Sequence, residues 1–335
     1  MSVIPQARFQ EFIQDIEPST TTKANAASAH AALRDFLKKD SDFSKYHVDD
    51  FLSGSYKRDT AIRPLKNGGQ IDRPDIDIVV VTNHSVGDDP GKVVDLLYQT
   101  LKKKYPKIRR QNRSVGIEQY NADMDVIPAI KSGDAYLIPD RDTKTWIFTN
   151  PERHTSWTTE TNKRANGRFK PLVKLFKWYR RQNATISEKP KGFSLECMVA
   201  ECMDYNETDY GELFVKMLES IANRYNLSVS AGIVPIIADP AIPGNSVTND
   251  IGLEEFRGFF NKIKSHAKLG REALTSTDLE KATSIFCEIF GDCFPKTMSR
   301  SRESTLAKPE TLSSTSFPDR AIKPNKPSGF ADVVP

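Results

Sequence analysis

The hydrophobic and polar positions divide the chain into an N-terminal part of mixed strands and helices and a C-terminal part that is mostly helical. A continuous apolar run at residues 78–81 predicts a strand covered on both faces, within a longer strand at residues 75–82, and residues 114–130 are expected to supply further strands. Apolar residues at helical spacing predict helices, which we place at about residues 19–39, 90–104, 194–204, 210–225, 253–268 and 276–290. This order of elements indicates an α/β (α+β) fold.

The helix that begins near Arg168 combines an apolar face with a basic stripe. On the side opposite the apolar residues, basic side chains recur at i, i+4, i+7 and i+11: Lys170, Lys174, Lys177 and Arg181. Taken alone, such a stripe predicts lysines that lie in water. A triphosphate bound between two lobes would instead use these cations, because the lobe without the metals must also supply positive charge. Both interpretations stay open at this point.

The segment at residues 53–81 reads SGSYKRDTAIRPLKNGGQIDRPDIDIVVV and carries the chemistry. Gly54 allows a tight turn close to a ligand, and Ser55 can offer a hydroxyl and a backbone N–H to phosphate oxygens. Asp75 and Asp77 project from the same face of a strand, where two carboxylates can bridge a pair of Mg²⁺ ions. The alternative is an ordinary Gly-Ser turn before a half-exposed strand, but unpaired aspartates are costly in a strand covered on both faces.

A third carboxylate comes from the string ADMDVIP, which contains Asp123 and Asp125. We favour Asp125 because it directly precedes Val126 and Ile127, and because Pro128 cannot donate to a sheet ladder. The carboxylate is therefore expected near the end of a short central strand. Taken alone, Asp123 and Asp125 would be interpreted as a polar strand edge. Together with Asp75 and Asp77, they favour a metal site instead.

Composition limits the classes of protein that the chain can be. At 335 residues with 38% hydrophobic residues it can form one large or two ordinary domains, and its net charge of +4 does not indicate a nucleic-acid coat protein. No stretch approaches a bilayer span or a signal peptide, so we expect a soluble cytoplasmic protein without a membrane partner. The four cysteines lack the spacing of a zinc ribbon and are expected to be buried free thiols, and the five histidines form no close pair.

Two further segments have distinctive compositions. Residues 102–113 are rich in lysine and arginine, for which a solvated charged loop is the default and a phosphate or RNA contact the sharper alternative. Residues 296–335 are rich in Ser, Thr, Pro and Lys without periodicity, which indicates a flexible tail or linker.

Five strings resemble, in this order, the bacterial cGAS/DncV-like nucleotidyltransferases (CD-NTases) of the anti-phage systems called CBASS: GSYKRDTAIRP, RPDIDIVVV, MDVIPAI, FKPLVKLFKWYRRQN and KGFSLE. The resemblance runs from about residue 5 to 295, and the ordered set is far more specific than any single string. The chain is most similar to the clade D enzymes in the lead-in before Asp75, in Lys177-Trp178 and in its proline-rich tail.

The resemblance implies a two-lobed polymerase-β-like nucleotidyltransferase fold. Residues 1–165, with an N-terminal helix, would form the catalytic lobe around a mixed sheet. Residues 166–295 would form a helical lobe that closes over the nucleotide, and residues 296–335 would be the tail. Two Mg²⁺ ions, for which Mn²⁺ can substitute, would be held by a metal-binding and catalytic triad: Asp75, Asp77 and Asp125.

The nucleotide-binding residues implied by the same resemblance lie in both lobes. Gly54 and Ser55 would hold the triphosphate, while Lys177, with Lys174 one turn earlier, would contact the donor phosphates. Phe193 falls where an aromatic residue stacks on a base. Relatives commonly have a serine just before that aromatic residue, whereas this chain has Gly192, so one phosphate contact is either missing or supplied by Lys191 or Ser194.

The implied activity is synthesis of a cyclic oligonucleotide second messenger from ATP and GTP or other NTPs, with an adenine-containing cyclic trinucleotide favoured over a cyclic dinucleotide. The product would be read by a CBASS effector. A HORMA-domain activator is an expected partner. An E1/E2-like conjugating protein is a further candidate, because residues 327–331 resemble conjugated C-termini, although residues 332–335 follow them and favour a plain disordered tail.

Two other functional classes stay open. One is a nucleotidyltransferase with an RNA or small-molecule acceptor, for which residues 102–113 would bind the longer substrate. The other is a non-enzymatic nucleotide-binding module, against which the presence of all three aspartates argues.

Overall fold

The computed structural model describes residues 2–64, 66–67, 70–71, 74–119 and 122–296. Within these residues the strands are β1 His47–Leu52, β2 Lys66–Asn67, β3 Gln70–Ile71, β4 Asp75–Thr82, β5 Ile108–Arg110, β6 Val115–Glu118, β7 Asp123–Ser132, β8 Ala135–Asp140 and β9 Thr145–Thr149. The helices are α1 Gln6–Ile16, α2 Thr20–Lys39, α3 Gly54–Arg58, α4 Pro90–Lys102, α5 Pro151–Arg164, α6 Phe169–Gln182, α7 Gly192–Cys202, α8 Tyr210–Ser230, α9 Leu253–Thr275 and α10 Leu279–Phe290, with a 3₁₀ turn at Ile186–Glu188.

One mixed sheet organises the strands. Seven of the described strands form it, in the order β1-β4-β7-β6-β5, and β8 continues from β7 to β9. Only the central β4–β7 pair is parallel among them. The α2 and α4 helices pack on one face of the sheet through a shared apolar core, in which Leu33, Leu97 and Val80 are fully buried. The parallel pair brings the beginnings of β4 and β7 to the same edge of the sheet.

The chain divides into two compact units. One comprises Pro18–Ser156 and contains the sheet. The other contains the helices from α6 onward and begins at Trp157, but it also includes the chain up to Glu17, because α1 packs against α6 and α8. The catalytic lobe was expected to span residues 1–165, whereas the unit that contains the sheet spans Pro18–Ser156. Residues 297–335, including the resemblance to conjugated C-termini, lie outside the described residues.

The predicted strands and helices are confirmed in type and approximate position. Residues 75–82 form β4, whose residues 78–81 are buried, and the helix expected at 19–39 begins after Ser19, whose side chain accepts a hydrogen bond from the Thr22 N–H. The prediction of a short strand that ends near Pro128 is wrong. Pro128 lies inside the ten-residue β7, between the residues that pair with β6 and those that pair with β8. A proline is tolerated there because it lies opposite neither strand.

The interpretation of the basic stripe on α6 as lysines that lie in water is wrong. Every residue from Phe169 to Tyr179 is buried, including Lys170, Lys174 and Lys177. A helix that is buried all round carries cations only when their charges are paired and their aliphatic stems contribute to packing. The carboxylates that provide this pairing are distant in sequence, so the helical pattern could not reveal them.

The α2 helix is tied to β1 through a buried carboxylate. Asp50, only 2% exposed, accepts hydrogen bonds from Arg34 on α2 and from His47, whose Nε2 lies 3.0 Å away. The α2 helix thereby fixes the end of β1 just before Gly54.

The cysteines are all free, as expected. Cys197 and Cys202 are buried, Cys287 is half-buried, and Cys293 is exposed, so the expectation of burial was wrong for that residue. None of the described helices is both long and apolar enough to cross a bilayer.

Candidate active site

The sheet register places four aspartates on one patch. In the parallel β4–β7 pair, Asp75 lies opposite Asp123 and Asp77 opposite Asp125. Side chains of register partners, and of residues two apart on a strand, point to the same face. All four carboxylates therefore share one face at the edge where β4 and β7 begin. The sequence alone had made Asp125 preferable to Asp123, whereas the structure brings both to the patch.

The Gly-Ser turn is packed directly against this patch. The Ser53 N–H donates to the Asp77 carbonyl oxygen at 2.8 Å, and Gly54 begins α3 with φ +66°. A Cβ atom on Gly54 would lie 1.7 Å from Asp77 Oδ2. Only glycine meets both constraints, a left-handed backbone and contact with a carboxylate. Ser55, the next residue of α3, is half-buried.

The carboxylates raise one another's proton affinity. The pKa of Asp75 is raised to about 7 by partial withdrawal from water and by the negative charges of Asp77, Asp125 and Asp123. Burial raises the pKa of Asp125, while a hydrogen bond from Gln111 and the charge of Arg109 oppose that effect. Asp75 is exposed at the edge of the strand, so the like charges of its neighbours affect its pKa more than burial does. A patch of this kind is stabilised by added cations.

The donor set suits a hard divalent cation. Mg²⁺ and Ca²⁺ prefer carboxylate oxygens, and Mg²⁺ retains several waters and binds through one or two carboxylates plus substrate phosphates. As the side chains stand, no three carboxylate, imidazole or thiol groups among the described residues are arranged to hold one metal ion. The residues fit the cation in chemistry and in placement on one face, and substrate phosphates would complete its coordination.

Three residues beside the patch were not among those predicted for the site: Arg109, Gln111 and Gly116. Arg109 on β5 lies opposite Gly116 on β6, which lies opposite Asp125, so Arg109, Gly116 and Asp125 occupy one row across the sheet. A Cβ atom on Gly116 would lie 2.8 Å from Gln111 Nε2 and 3.3 Å from Asp125 Oδ1. A glycine inside a short strand is the only sequence signal for this arrangement, since it often marks close approach of other groups.

In the helical unit, the predicted lysines are held by carboxylates. Lys174 Nζ lies 2.8 Å from Glu17 Oε1, and Lys177 Nζ lies 2.7 Å from Glu196 Oε1. Glu196 on α7 is fully buried. Gly192, where relatives have serine, lies against the same lysine: a Cβ atom there would be 3.5 Å from Lys177 Nζ. The second pair therefore joins α6 to α7 in the interior of this unit.

The other two predicted residues differ in their surroundings. Phe193 is half-buried and its ring lies edge-on to Trp157, with centroids 6.0 Å apart. Ser194 is buried, and its hydroxyl donates to the Val247 carbonyl oxygen at 2.7 Å. The expected phosphate contact from Ser194 is thus disfavoured, because its proton is already engaged. Phe193 and Trp157 are both half-exposed and present aromatic surface. The sequence indicated only Phe193.

Comparison with known sequences identifies the family. The Second Messenger Oligonucleotide or Dinucleotide Synthetase domain matches residues 1–162. The chain is 46% identical over 334 residues to a cyclic AMP-AMP-AMP synthase from an Acinetobacter species, with 97% of each protein covered. It is 28% identical over 353 residues to a cyclic AMP-AMP-GMP synthase from Enterobacter hormaechei, covering 87% of this chain and 92% of that protein.

Solved structures share the fold. CdnG, a CD-NTase from Bradyrhizobium diazoefficiens in complex with GTP, superposes with a TM-score of 0.72 at 15% identity and covers 87% of this chain and 96% of its own. CdnC from E. coli with ATP gives a TM-score of 0.66 at 17% identity and covers 87% and 99%. The expected polymerase-β-like nucleotidyltransferase fold is confirmed. The chain belongs to the CD-NTases, the bacterial cGAS/DncV-like nucleotidyltransferases of CBASS anti-phage systems.

Proposed function

We propose that this CD-NTase joins NTPs, ATP among them, into an adenine-containing cyclic trinucleotide by two-metal nucleotidyl transfer. The observation that carries the proposal is the β4–β7 register, which gathers Asp75, Asp77 and Asp125 on one face beside Gly54. The relatives that make cyclic AMP-AMP-AMP and cyclic AMP-AMP-GMP support a product that contains adenine.

The aspartates are assigned by their places in the register. Asp77 and Asp125 are direct partners across the two strands and would hold the ion nearest the attacking hydroxyl. Asp75 and Asp77, two apart on β4, would hold the ion on the triphosphate. When bound, Mg²⁺ supplies a lowered pKa for the acceptor hydroxyl and neutralises charge on the phosphates.

Gly54 and Ser55 would hold the triphosphate against this patch. A glycine without a side chain lets the turn approach a ligand closely, and the serine hydroxyl can donate to a phosphate oxygen. Catalysis by such a site consists mainly of positioning and charge stabilisation, since phosphoryl-type transfer demands little covalent chemistry from the protein.

Incubating the purified protein with the four NTPs, one radiolabelled at a time, in the presence of Mg²⁺ or Mn²⁺ tests the proposal. After phosphatase treatment, we expect a resistant product that is labelled by ATP. Mass spectrometry then gives the ring size and the bases. The absence of any resistant product, together with label transfer to added RNA or to a small hydroxylated acceptor, would contradict the proposal.

An RNA acceptor is less well supported, because the basic segment at residues 102–113 is engaged within its own unit. Lys103 Nζ lies 2.8 Å from Asp40 and 2.7 Å from Asp42. Arg110 and Arg113 pair with Asp95 and Asp140, each at 2.8 to 2.9 Å. The three cationic side chains are exposed, although those of Asp40 and Asp140 are largely buried. The pairs would therefore not prevent RNA binding, but they account for these three cations without it.

Lys177 is proposed to contact the donor phosphates, but its pairing with Glu196 gives it a structural role as well. Lys177→Met leaves a buried carboxylate without its cation, which typically costs about 3–5 kcal/mol of unfolding free energy. We expect urea denaturation to show a loss of this size.

The double variant Lys177→Met/Glu196→Leu separates the two roles. Replacing a buried ion pair by apolar residues is often neutral or stabilising, so most of the lost stability should return. If the stable double variant still makes no product, Lys177 also acts on the nucleotide. Recovery of activity along with stability would contradict the phosphate contact.

The expected partners are proposals too. One solved structure is described as a CdnC:HORMA complex, which supports a HORMA-domain activator for this enzyme. Adding a HORMA-domain protein from the same host to the NTP assay tests this. Conjugation of the C-terminus through an E1/E2-like protein and reading of the product by a CBASS effector are supported by the sequence resemblance alone.

A further inference from the structure

Gly116 opens a gap in the sheet beside one of the proposed metal ligands. It lies on β6 directly opposite Asp125 and is buried. Any side chain at this position would occupy the space where Gln111 Nε2, Asp125 Oδ1 and Arg109 Nε approach one another, at 2.8, 3.3 and 3.5 Å from an added Cβ atom. The gap therefore lets a side chain from the β5–β6 turn reach the carboxylate across β6.

Gln111 fills this gap in a fixed orientation. Its amide Nε2 and Asp125 Oδ1 converge on one point, at 2.8 and 3.3 Å from a Cβ atom added to Gly116, and the amide acts on the carboxylate as a donor that lowers the pKa of Asp125. Its other end, Oε1, accepts a hydrogen bond from the hydroxyl of the buried Ser114. Because a carboxylate can only accept and an amide oxygen cannot donate, this pairing leaves Nε2 as the group that faces Asp125.

The backbone of Gln111 is held on both sides. Its N–H donates to the Ser114 carbonyl oxygen at 3.0 Å, and its own carbonyl oxygen accepts from Arg141 Nη1 at 3.3 Å. A side chain that is anchored through both its backbone and its terminal oxygen loses little further entropy when it holds a partner.

We infer that Gln111, oriented by Ser114 through the gap at Gly116, is a positioning residue that holds the Asp125 carboxylate in place for the metal ion. The inference rests on the proposed function, since it assumes that Asp125 is a metal ligand. A neutral amide is suited to this role because it restrains one carboxylate oxygen without cancelling the negative charge, whereas an ammonium group would compete with the cation. Hydrogen-bonded partners of metal ligands orient the ligands in this way.

The test compares Gln111→Leu, which removes the donor and leaves an apolar side chain one atom shorter, with Ser114→Ala, which removes only the anchor. Loss of such a partner typically lowers metal affinity or activity about 10- to 100-fold. We expect kcat of Gln111→Leu to fall within this range with little change in the KM for ATP. We expect its affinity for Mn²⁺, measured without nucleotide turnover by the electron paramagnetic resonance signal of the free ion, to fall similarly.

Ser114→Ala is expected to cause a smaller loss in the wild-type background and none in the Gln111→Leu background, because the hydroxyl acts only through the amide. Gln99→Leu, the same change on an exposed position of α4, serves as the matched control and should leave kcat and Mn²⁺ affinity unchanged. Unfolding curves establish that the variants are folded.

Unchanged Mn²⁺ affinity in Gln111→Leu, or a Ser114→Ala effect that simply adds to that of Gln111→Leu, would overturn the inference. Both outcomes are distinct from failure of the proposed function. If the proposed function failed, the wild-type protein itself would make no cyclic product. The Mn²⁺ titration would still report whether Gln111 affects metal binding.

Discussion

Replacing Asp75 and Asp77 together by asparagine is expected to abolish formation of the phosphatase-resistant product while leaving the fold intact. Both residues lie on the shared face of β4 and β7, and between them they are proposed to contact both metal ions. Metal ions supply several kcal/mol of transition-state stabilisation, and a tenfold rate change corresponds to about 1.4 kcal/mol. We therefore expect a loss of more than about 1,000-fold, measured as pyrophosphate release and as cyclic product.

The unfolding free energy of this double variant should equal or exceed that of the wild type when no metal is present. Four carboxylates repel one another across the patch, and the substitution removes two of the charges. Asp134→Asn/Asp142→Asn makes the same charge change at two exposed positions of the same unit and should retain full activity. Full activity in the Asp75/Asp77 variant would refute the metal-site assignment.

Gly54→Ala is expected to reduce product formation by about 100-fold or more, since a displacement of about 1 Å at a catalytic group can cost this much. The new Cβ atom would lie 1.7 Å from Asp77 Oδ2, so the carboxylate or the turn must move. The left-handed backbone at φ +66° adds a folding cost of about 1–2 kcal/mol for alanine. Steady-state kinetics and urea denaturation of the same preparation measure both effects.

Gly133→Ala separates these two effects. Gly133 lies in the turn between β7 and β8 with φ +59°, and an added Cβ atom would meet nothing within 4 Å. This variant should show the folding cost without the loss of activity. Equal activity losses in the two variants would mean that the clash with Asp77 is not the cause.

Local sequence signals were sufficient for the central strands of the sheet and for most of the helices. The apolar run in β4 and the Ser19 cap of α2 are determined by neighbouring residues, so single-sequence patterns could place them. Pro128 misled the prediction because its tolerance inside β7 depends on where β6 and β8 stop pairing with that strand. Such pairing is a property of other segments of the chain.

The candidate site was predictable only where its residues form a motif. Asp75, Asp77 and Gly54 are linked by short spacings within one segment. Gln111 belongs to no motif, because its importance arises from a gap left by Gly116 on the next strand. The sequence left open whether the α6 lysines lie in water or bind phosphate, because their partners, Glu17 and Glu196, are far from them or on another helix.

The sequence by itself therefore determined the types of element, the family and the aspartates, since these depend on spacing along the chain and on ordered strings of residues. The tertiary structure decided that Asp123 joins the patch, that Gln111 reaches Asp125, and that the lysines of α6 are buried ion pairs. Each of these depends on strand register or helix packing, which place side chains together regardless of their separation in sequence.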